Sequence, residues 1–253
     1  MNKLLRIVGV ALALLAMPVA HAGSFTDNYI GGSNPADVIG ASTYDISGAS
    51  ITRVGSVLTV TINTAFAGHA GMDSAAYSPK GIGYGDVFLS QLWNPAGGTD
   101  WQYGFNLADR WSTASTGSFT LYKLDGANST NILNSNSFIT CTGCTYRQNQ
   151  EVAVNMAAGT TAVAVTANGQ PVSATNQALT GTWTVVNDQS IKFSINVANV
   201  SDLMTFKSFA MHWGETCQND VIEGWTKVPE PAGLALLGVG LCGMLALRRR
   251  KAA

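Results

Sequence analysis

The sequence predicts an all-β domain with the architecture of an antiparallel β-sandwich or jelly roll. Short stretches alternate apolar and polar side chains, as in residues 58–62, where Leu, Val and Ile alternate with Thr. This period of two is typical of a half-buried strand. Turn signals such as Asp125-Gly126 separate the stretches. We find no long segment of helical period, whereas a parallel α/β fold would need crossover helices.

About nine short strands are expected on these grounds. They cover residues 58–62, 86–93, 101–107, 119–124, 151–156, 161–166, 181–186, 190–197 and 208–213. The run 86–93 is expected to be a core strand, and 208–213 the last strand of the domain. A single turn of helix is expected near residues 200–205. In the strand 190–197, one face is apolar and is expected in the core: Ile191, Phe193, Ile195 and Val197.

Residues 1–22 have the three parts of a secretory signal peptide. Lys3 and Arg6 form a basic start, residues 7–17 are apolar, and the small-residue sequence Ala-His-Ala ends at Ala22. An uncleaved signal anchor is the alternative, but the apolar run is short for one. We therefore expect cleavage after Ala22 and export through the inner membrane.

Residues 228–253 form a second targeting pattern. Residues 232–247 carry no charge, and the apolar run counted from Pro231 has 17 residues. A bilayer-spanning helix needs roughly 17–25 residues, so we expect a short transmembrane helix here. It lies between two motifs, an extended Pro-Glu-Pro linker and a basic stop expected on the cytoplasmic side. Their residues are Val228, Pro229, Glu230 and Pro231, followed after the helix by Arg248, Arg249, Arg250 and Lys251.

The order of linker, short apolar helix and basic residues resembles the PEP-CTERM sorting signal of Gram-negative bacteria. The resemblance implies a partner, an exosortase at the inner membrane, that reads Val228–Pro231 and removes the helix. It also implies transient anchoring in the membrane, followed by a location at the cell surface or outside the cell. An ordinary permanent membrane anchor is the alternative.

The expected ectodomain, residues 23–227, has its own resemblance. Residues 85–90, 100–103, 147–152 and, most clearly, 211–224 are similar to a recurring β-sandwich ectodomain of exosortase-sorted proteins. Such proteins have no assigned activity, so the resemblance implies fold and location more than chemistry. Gln218 stands where the usual pattern has glycine. A turn that requires glycine is therefore not expected there.

The charge balance argues against nucleic acid as a partner. The whole chain has a net charge of −1, but the two targeting segments hold six of its 14 basic residues. Residues 23–227 carry 8 basic and 14 acidic side chains, a net charge of −6. Binding to phosphates needs clusters of basic residues, which this composition does not offer.

The cysteines of the ectodomain are disulfide candidates. Cys141 and Cys144 form a C-x-x-C pair, and Cys217 lies far along the chain. An exported protein favours disulfides, either Cys141–Cys144 or a link from one of them to Cys217. A redox centre would need a helical βαβ setting. A structural zinc site formed by Cys141, Cys144, His212 and Cys217 is a less favoured alternative.

Calcium is the other metal that we consider, although we expect no cofactor. Asp100, Asn219, Asp220 and Glu223 offer oxygen ligands in loops, but no EF-hand pattern is present. Capping of turns explains these residues equally well.

Catalysis has little support, and we expect that the protein is not an enzyme. We find no G-x-S-x-G, H-E-x-x-H or P-loop motif. His69 lies in a glycine-flanked loop that could hold a base. A glycosidase carboxylate pair would have to come from Asp86, Asp100, Glu215 and Glu223.

We therefore expect a structural or adhesive surface protein in an exopolysaccharide or biofilm context. A carbohydrate-binding module is the first alternative, since several aromatic side chains could stack on sugars: Trp93, Trp101, Tyr103, Trp111, Trp213 and Trp225. A secreted hydrolase is the second. A cleft with two converging carboxylates, or His69 beside a carboxylate, would favour the hydrolase.

Overall fold

The structure is a computed structural model of the chain. It describes residues 20–28, 37, 40, 42–74, 76–95, 98–125, 128–157, 162–171 and 177–227. The predicted apolar run of the signal peptide, residues 7–17, lies outside these residues. So do the Pro-Glu-Pro motif, the predicted transmembrane helix and the basic stop.

The described residues form thirteen strands and three short helical turns. The strands are β1 (Ala20–Thr26), β2 (Ile46–Val54), β3 (Val57–Thr64), β4 (Val87–Ser90), β5 (Tyr103–Leu107), β6 (Thr116–Lys123), β7 (Ile132–Asn134), β8 (Glu151–Val154), β9 (Val163–Ala164), β10 (Thr180–Val186), β11 (Ser190–Asn196), β12 (Ser208–Gly214) and β13 (Val221–Lys227). The helical turns are Asn128–Asn131, Ser135–Ser137 and Ser201–Thr205. The last of these confirms the helical turn expected near residues 200–205.

Eleven strands form one sheet, in the order β1-β2-β3-β11-β10-β6-β5-β4-β12-β13, with β9 beside β6. The pairings recorded in it are antiparallel. This confirms the all-β, antiparallel fold. The strands β7 and β8 form a separate pair.

The large sheet curves back on itself until its first and last strands meet. A Cβ atom added at Gly23 of β1 would lie 2.3 Å from the side chain of Thr226 in β13. One added at Gly224 would lie 3.0 Å from the ring of Phe25. Gly23 lies beside Thr226 and Phe25 beside Gly224, so residue numbers increase along β1 while they decrease along β13. The two strands therefore run antiparallel. The predicted sandwich thus takes the form of a nearly closed barrel.

The interior is filled by the alternating faces of the strands, as the sequence predicts. Ile191, Phe193, Ile195 and Val197 are all buried, which confirms the assigned face of β11. Phe193 lies against Phe119, with ring centroids 5.9 Å apart, and Phe119 stacks on Phe105 at 4.5 Å. These three rings come from β11, β6 and β5, so they pack side by side on the inner face of nearby strands of the sheet.

A smaller apolar cluster lies on the outer face of the sheet. It consists of Phe88, Trp101, Leu124, Ile132, Val154 and Ala210. The pair β7–β8 contributes Ile132 and Val154, and therefore covers part of this face. Apolar side chains on both faces of β4 explain why that strand reads as a continuous apolar run.

Asp86 fixes the junction between β4, β5 and β8. Its carboxylate accepts hydrogen bonds from the backbone N–H groups of Leu107 at 3.0 Å and Val154 at 2.8 Å. It also accepts from the side chains of Asn106 and Arg110, each at 3.1 Å. Asp86 is 1% and Arg110 6% exposed, so the ion pair is buried.

Several predicted strand boundaries are wrong. The run expected over residues 86–93 pairs only from Val87 to Ser90, and Leu92 is 71% exposed. The Gln91 backbone N–H donates to the Gln102 side chain instead of to a neighbouring strand, so the chain leaves the sheet there. The strand β12 is not the last, because β13 follows it. The sequence also gave no prediction of β1, β2 and β7.

Candidate functional site

Acidic side chains converge where the first strand meets the last hairpin. Asp27 directly follows β1, Asp37 lies between β1 and β2, and Asp220 directly precedes β13. One carboxylate oxygen of each lies within 4.8 Å of the other two. Asp37 and Asp220 are buried and Asp27 is half-buried. These residues, together with Glu215, are called the acidic cluster below.

Backbone groups and one cation hold part of the acidic cluster in place. Asp220 Oδ2 accepts a hydrogen bond from the N–H of Ile46 at 2.5 Å, and its Oδ1 accepts from Val221 at 2.8 Å. Asp37 Oδ1 accepts from the same Val221 N–H at 3.1 Å and pairs with Arg147 Nη1 at 3.2 Å. The cluster therefore links β2, β13 and the segment between β1 and β2.

Glu215 stands in a buried loop and has no hydrogen-bond partner for its carboxylate. Residues 215–220 connect β12 to β13, and all of them except the half-buried Asn219 are buried. Neither carboxylate oxygen of Glu215 accepts a hydrogen bond in the described part of the chain. The Gln218 amide in the same loop is also unpartnered, although buried polar groups normally find partners.

The backbone conformation of Gln218 shows what happens to the turn in which glutamine stands in place of glycine. Gln218 has a φ of 54°, in the left-handed region that favours glycine. The turn therefore keeps the conformation of a glycine turn with a glutamine in place. Its N–H donates to the Glu215 carbonyl at 2.9 Å, which closes the turn.

The electrostatics of the acidic cluster favour protonation of its carboxyl groups. Burial, and then the charges of Asp220 and Asp37, raise the pKa of Glu215 well above its usual value, partly offset by nearby backbone N–H groups. Burial raises the pKa of Asp220 to about 8. The pKa of Asp27 is raised by burial, then by the charges of Asp37 and Asp45. The shared cause is burial, which disfavours the charged form of each carboxyl group.

The structure joins two of the three ectodomain cysteines. Cys141 and Cys144 form a disulfide with their Cα atoms 6.0 Å apart, and Cys217 is a free, buried thiol. Burial, and then the charge of Glu215, raise the pKa of the Cys217 thiol well above its usual value. This is the arrangement of an inert thiol, since reactive cysteines have a lowered pKa.

The candidate zinc set is not assembled among the described residues. The imidazole of His212 is fully buried, and both its ring nitrogens are engaged, Nδ1 with Glu223 at 3.1 Å and Nε2 with the carbonyl of Glu151 at 2.8 Å. Burial alone would lower the pKa of His212, but Glu223 and Glu151 together raise it. With Cys141 and Cys144 in a disulfide, Cys217 is the thiol that is left.

The predicted calcium candidates are distributed differently from the expectation. Asp220 lies in the acidic cluster, but Asp100 is exposed and Glu223 contacts His212. Asp27 and Asp37 were not predicted as ligands. They lie in or beside a stretch rich in Gly, Asn and Ser, where an aspartate usually caps a turn, so no local pattern marks them.

His69 does lie beside a carboxylate, as the hydrolase alternative requires. Its Nε2 is 2.6 Å from Asp188 Oδ1, but the two side chains are 38% and 72% exposed. In the described part of the chain, no Ser, Thr or Cys side chain hydrogen bonds to this imidazole. A His–carboxylate pair acts in hydrolysis by activating a nucleophile or water held against it. The pair therefore lacks the third group of a catalytic triad within the described residues.

The candidate sugar-stacking residues fall into two groups. Trp101, Tyr103 and Trp213 are 2%, 3% and 0% exposed, so they belong to the core and cannot stack on a sugar. Trp93 and Trp111 are half-buried, and Trp225 is 42% exposed. The ammonium of Lys80 lies 4.5 Å from the centroid of the Trp111 ring. Lys80 therefore occupies one face of that indole.

Comparison with known proteins decides the nature of the C-terminal segment. Residues 227–251 match the family described as the PEP-CTERM protein-sorting motif. The chain carries a PEP-CTERM sorting signal. No curated protein and no solved structure matches it.

The PEP-CTERM signal makes the chain an exported, exosortase-processed protein that is transiently anchored in the membrane. The match covers the predicted processing and basic-stop residues, from Val228 to Lys251. They lie outside the described residues, and β13 ends at Lys227, directly before them. Among the helices that the structure does describe, none is long and apolar enough to cross a membrane.

Proposed function

We propose that the mature PEP-CTERM protein is a structural, adhesive component of the cell surface or the extracellular matrix, in an exopolysaccharide or biofilm context. The observation that carries the proposal is the sorting signal at residues 227–251, directly after an all-β domain. Processing by an exosortase would release this domain from its anchor on the outer side of the membrane. The acidic balance of residues 23–227 also suits a protein that has no nucleic-acid partner.

The proposal assigns no catalytic role to the domain. The His69–Asp188 pair is exposed, and among the described residues no nucleophilic side chain hydrogen bonds to its imidazole. Asp86 is neutralised by Arg110 and Glu223 is engaged with His212. These carboxylates are therefore occupied by partners of their own, and they do not form the facing pair that glycoside hydrolysis uses.

A carbohydrate-binding module is the second candidate, favoured by the surface around Trp225. Trp225 pairs in register with Ala210 on the neighbouring strand, and Ala210 belongs to the outer apolar cluster. The half-buried Trp93 packs against the same cluster. The Lys227 ammonium lies 5.9 Å from the Trp225 ring centroid. An exposed indole beside a cationic donor suits stacking on a sugar that carries acidic groups.

Both candidates are tested by following the protein and its matrix together. A strain that lacks the chain should form a biofilm with less retained polysaccharide, and the processed protein should fractionate with that matrix in the parent strain. Unchanged biofilm, with the protein absent from the matrix fraction, would contradict the structural role.

Direct sugar binding has its own test, co-sedimentation of the protein with polysaccharide from the same strain. If the domain is a carbohydrate-binding module, Trp225→Ala should weaken its binding to the polysaccharide about tenfold, which corresponds to about 1.4 kcal/mol. Val186→Ala is the matched control, because Val186 is 52% exposed and lies on β10, which pairs with neither β12 nor β13. Equal binding by both variants and the parent chain would remove the sugar-binding role and leave the structural one standing.

A further inference from the structure

We infer that the acidic cluster is a calcium site, in which Asp27, Asp37 and Asp220 bind one Ca²⁺ between the first strand and the last hairpin, close to the buried carboxylate of Glu215. The inference is independent of the proposed matrix role. It concerns the interior of the domain. It assigns a ligand to carboxylates that lie close together and include buried oxygens without hydrogen-bond partners.

The spacing of the carboxylates fits one ion. Oxygens of Asp27, Asp37 and Asp220 all lie within 4.8 Å of one another. Calcium binds oxygen at about 2.4 Å, so two of its ligands lie at most about 4.8 Å apart. The three residues come from three separate parts of the chain, each placed by backbone pairing or hydrogen bonds. Convergence on one point is therefore a property of the folded domain.

The second observation is the set of buried oxygens that lack partners. Glu215 is 0% exposed, and both of its carboxylate oxygens are without a hydrogen bond. The charges of Asp220 and Asp37 act on this carboxylate, so it lies near the cluster. Asp27 Oδ1 is also buried and unpartnered. A buried polar atom without a partner destabilises the fold, and a charged one does so more strongly, unless a bound group satisfies it.

The charge count points to a divalent cation. The cluster contains four carboxylates, and among the described residues the cation that contacts them is Arg147. The net formal charge is −3 when all of these groups are ionised. Buried charges in proteins are paired or coordinate metals. One Ca²⁺ would reduce the imbalance to −1 and would provide the partner that Asp27 Oδ1 lacks.

The ligand types select calcium over other common ions. All three ligand side chains offer carboxylate oxygen, which is the ligand of hard cations, whereas zinc prefers nitrogen and sulfur. Magnesium keeps several waters and demands octahedral geometry, which a buried, crowded cluster does not favour. Calcium accepts six to eight oxygens in irregular geometry, so it tolerates carboxylates from three chain segments.

The position of the site explains what the ion would do. Asp27 directly follows β1 and Asp220 directly precedes β13, and these two strands approach each other with Gly23 beside Thr226. Within the described residues, β1 and β13 do not pair as neighbouring strands of the sheet. An ion bound to both residues would therefore tie the two strands together at one end and complete the closure of the barrel.

The test uses the full chain purified in detergent, freed of metal with a chelator and then titrated with CaCl2. We expect one equivalent of Ca²⁺ to bind by calorimetry, and the midpoint of thermal unfolding to rise by about 5–10 °C when calcium exceeds its Kd 100-fold. Asp27→Asn should bind calcium at least 10-fold more weakly, and it should be no less stable than the parent chain in chelator, because it removes one repelling charge.

Two controls make the result specific. Asp100→Asn is the same substitution at an exposed aspartate outside the acidic cluster, and it should respond to calcium like the parent chain. Asp220→Asn keeps the side-chain shape but removes one ligand charge, and should lose the response. The inference is overturned if the parent chain shows no calcium-dependent shift, if Asp27→Asn responds like the parent, or if magnesium at the same concentration gives an equal shift.

Discussion

Replacing Asp86 with alanine is expected to lower the free energy of unfolding by about 3–5 kcal/mol. The substitution removes one partner of a buried ion pair and leaves the guanidinium of Arg110, 6% exposed, without its counter-charge. It also takes the acceptor away from the backbone N–H groups of Leu107 and Val154. These groups belong to the junction of β4, β5 and β8, so the loss affects three strands at once.

Chemical denaturation of the purified chain measures this effect. Asp86→Asn should cost less than Asp86→Ala, because an amide oxygen still accepts hydrogen bonds although the charge is gone. Asp109→Ala is the matched control, since Asp109 is exposed and its carboxylate accepts from one backbone N–H two residues away. A loss below about 1 kcal/mol for Asp86→Ala, within the range of ordinary surface substitutions, would show that the pair does not hold the junction.

Replacing Phe193 with alanine is the second large expected effect, also about 3–5 kcal/mol. Phe193 is 0% exposed and contacts rings from two other strands, Phe105 and Phe119. The substitution therefore loses buried apolar surface and leaves a cavity that those rings cannot fill without leaving their own strands. Phe193→Leu keeps more of the volume and should cost less than the alanine substitution.

Val186→Ala provides the control for Phe193 within the same hairpin. Val186 ends β10 and is 52% exposed, so its truncation should change stability by no more than about 0.5 kcal/mol. Equilibrium unfolding in urea measures the differences in free energy of unfolding. The dependence of this free energy on urea concentration should be the same for the parent chain and the three variants. If Phe193→Ala and Val186→Ala were equally mild, the central position assigned to β11 would be wrong.

The strands that were predicted well from the sequence are those with one buried and one solvent-exposed face. β3, β10 and β11 alternate buried and exposed residues along most of their length, so their period of two is visible in the sequence. β13 was missed because its pattern changes within the strand. Val221 and Ile222 are both buried, and the residues after them are half-buried or exposed in turn. A strand that passes from a two-sided to a one-sided environment has no single period to detect.

The acidic cluster shows a different limit of sequence reasoning. Asp220 was recognised as a possible metal ligand, but its partner Asp27 is almost the whole ectodomain away and becomes a neighbour only when β1 meets β13. Glu223, three residues from Asp220, was an equally good candidate in the sequence. In the fold it contacts His212 instead. Chain closure selects between these carboxylates, and no local pattern reports it.

The aromatic residues show the same limit for a surface. All of the candidate tryptophans could stack on a sugar as far as residue type is concerned. Trp213 is at 0% exposure and donates its indole N–H to the carbonyl of Gly85 at 3.0 Å, whereas Trp225, one strand away, is 42% exposed. Which side of a strand a tryptophan occupies depends on register and on what covers each face, and both are tertiary properties.

The central claim is that Val228–Pro231 is a processing site, and intact-mass measurement of the protein from the native cell surface tests it most directly. In a strain with its exosortase, the mature protein should lack residues 234–251. Replacing Pro229, Glu230 and Pro231 with alanine, or deleting the exosortase, should leave an uncleaved, membrane-bound form. A chain that ends at Ala253 in strains with and without the exosortase would show that the segment only anchors the protein, and would contradict the claim.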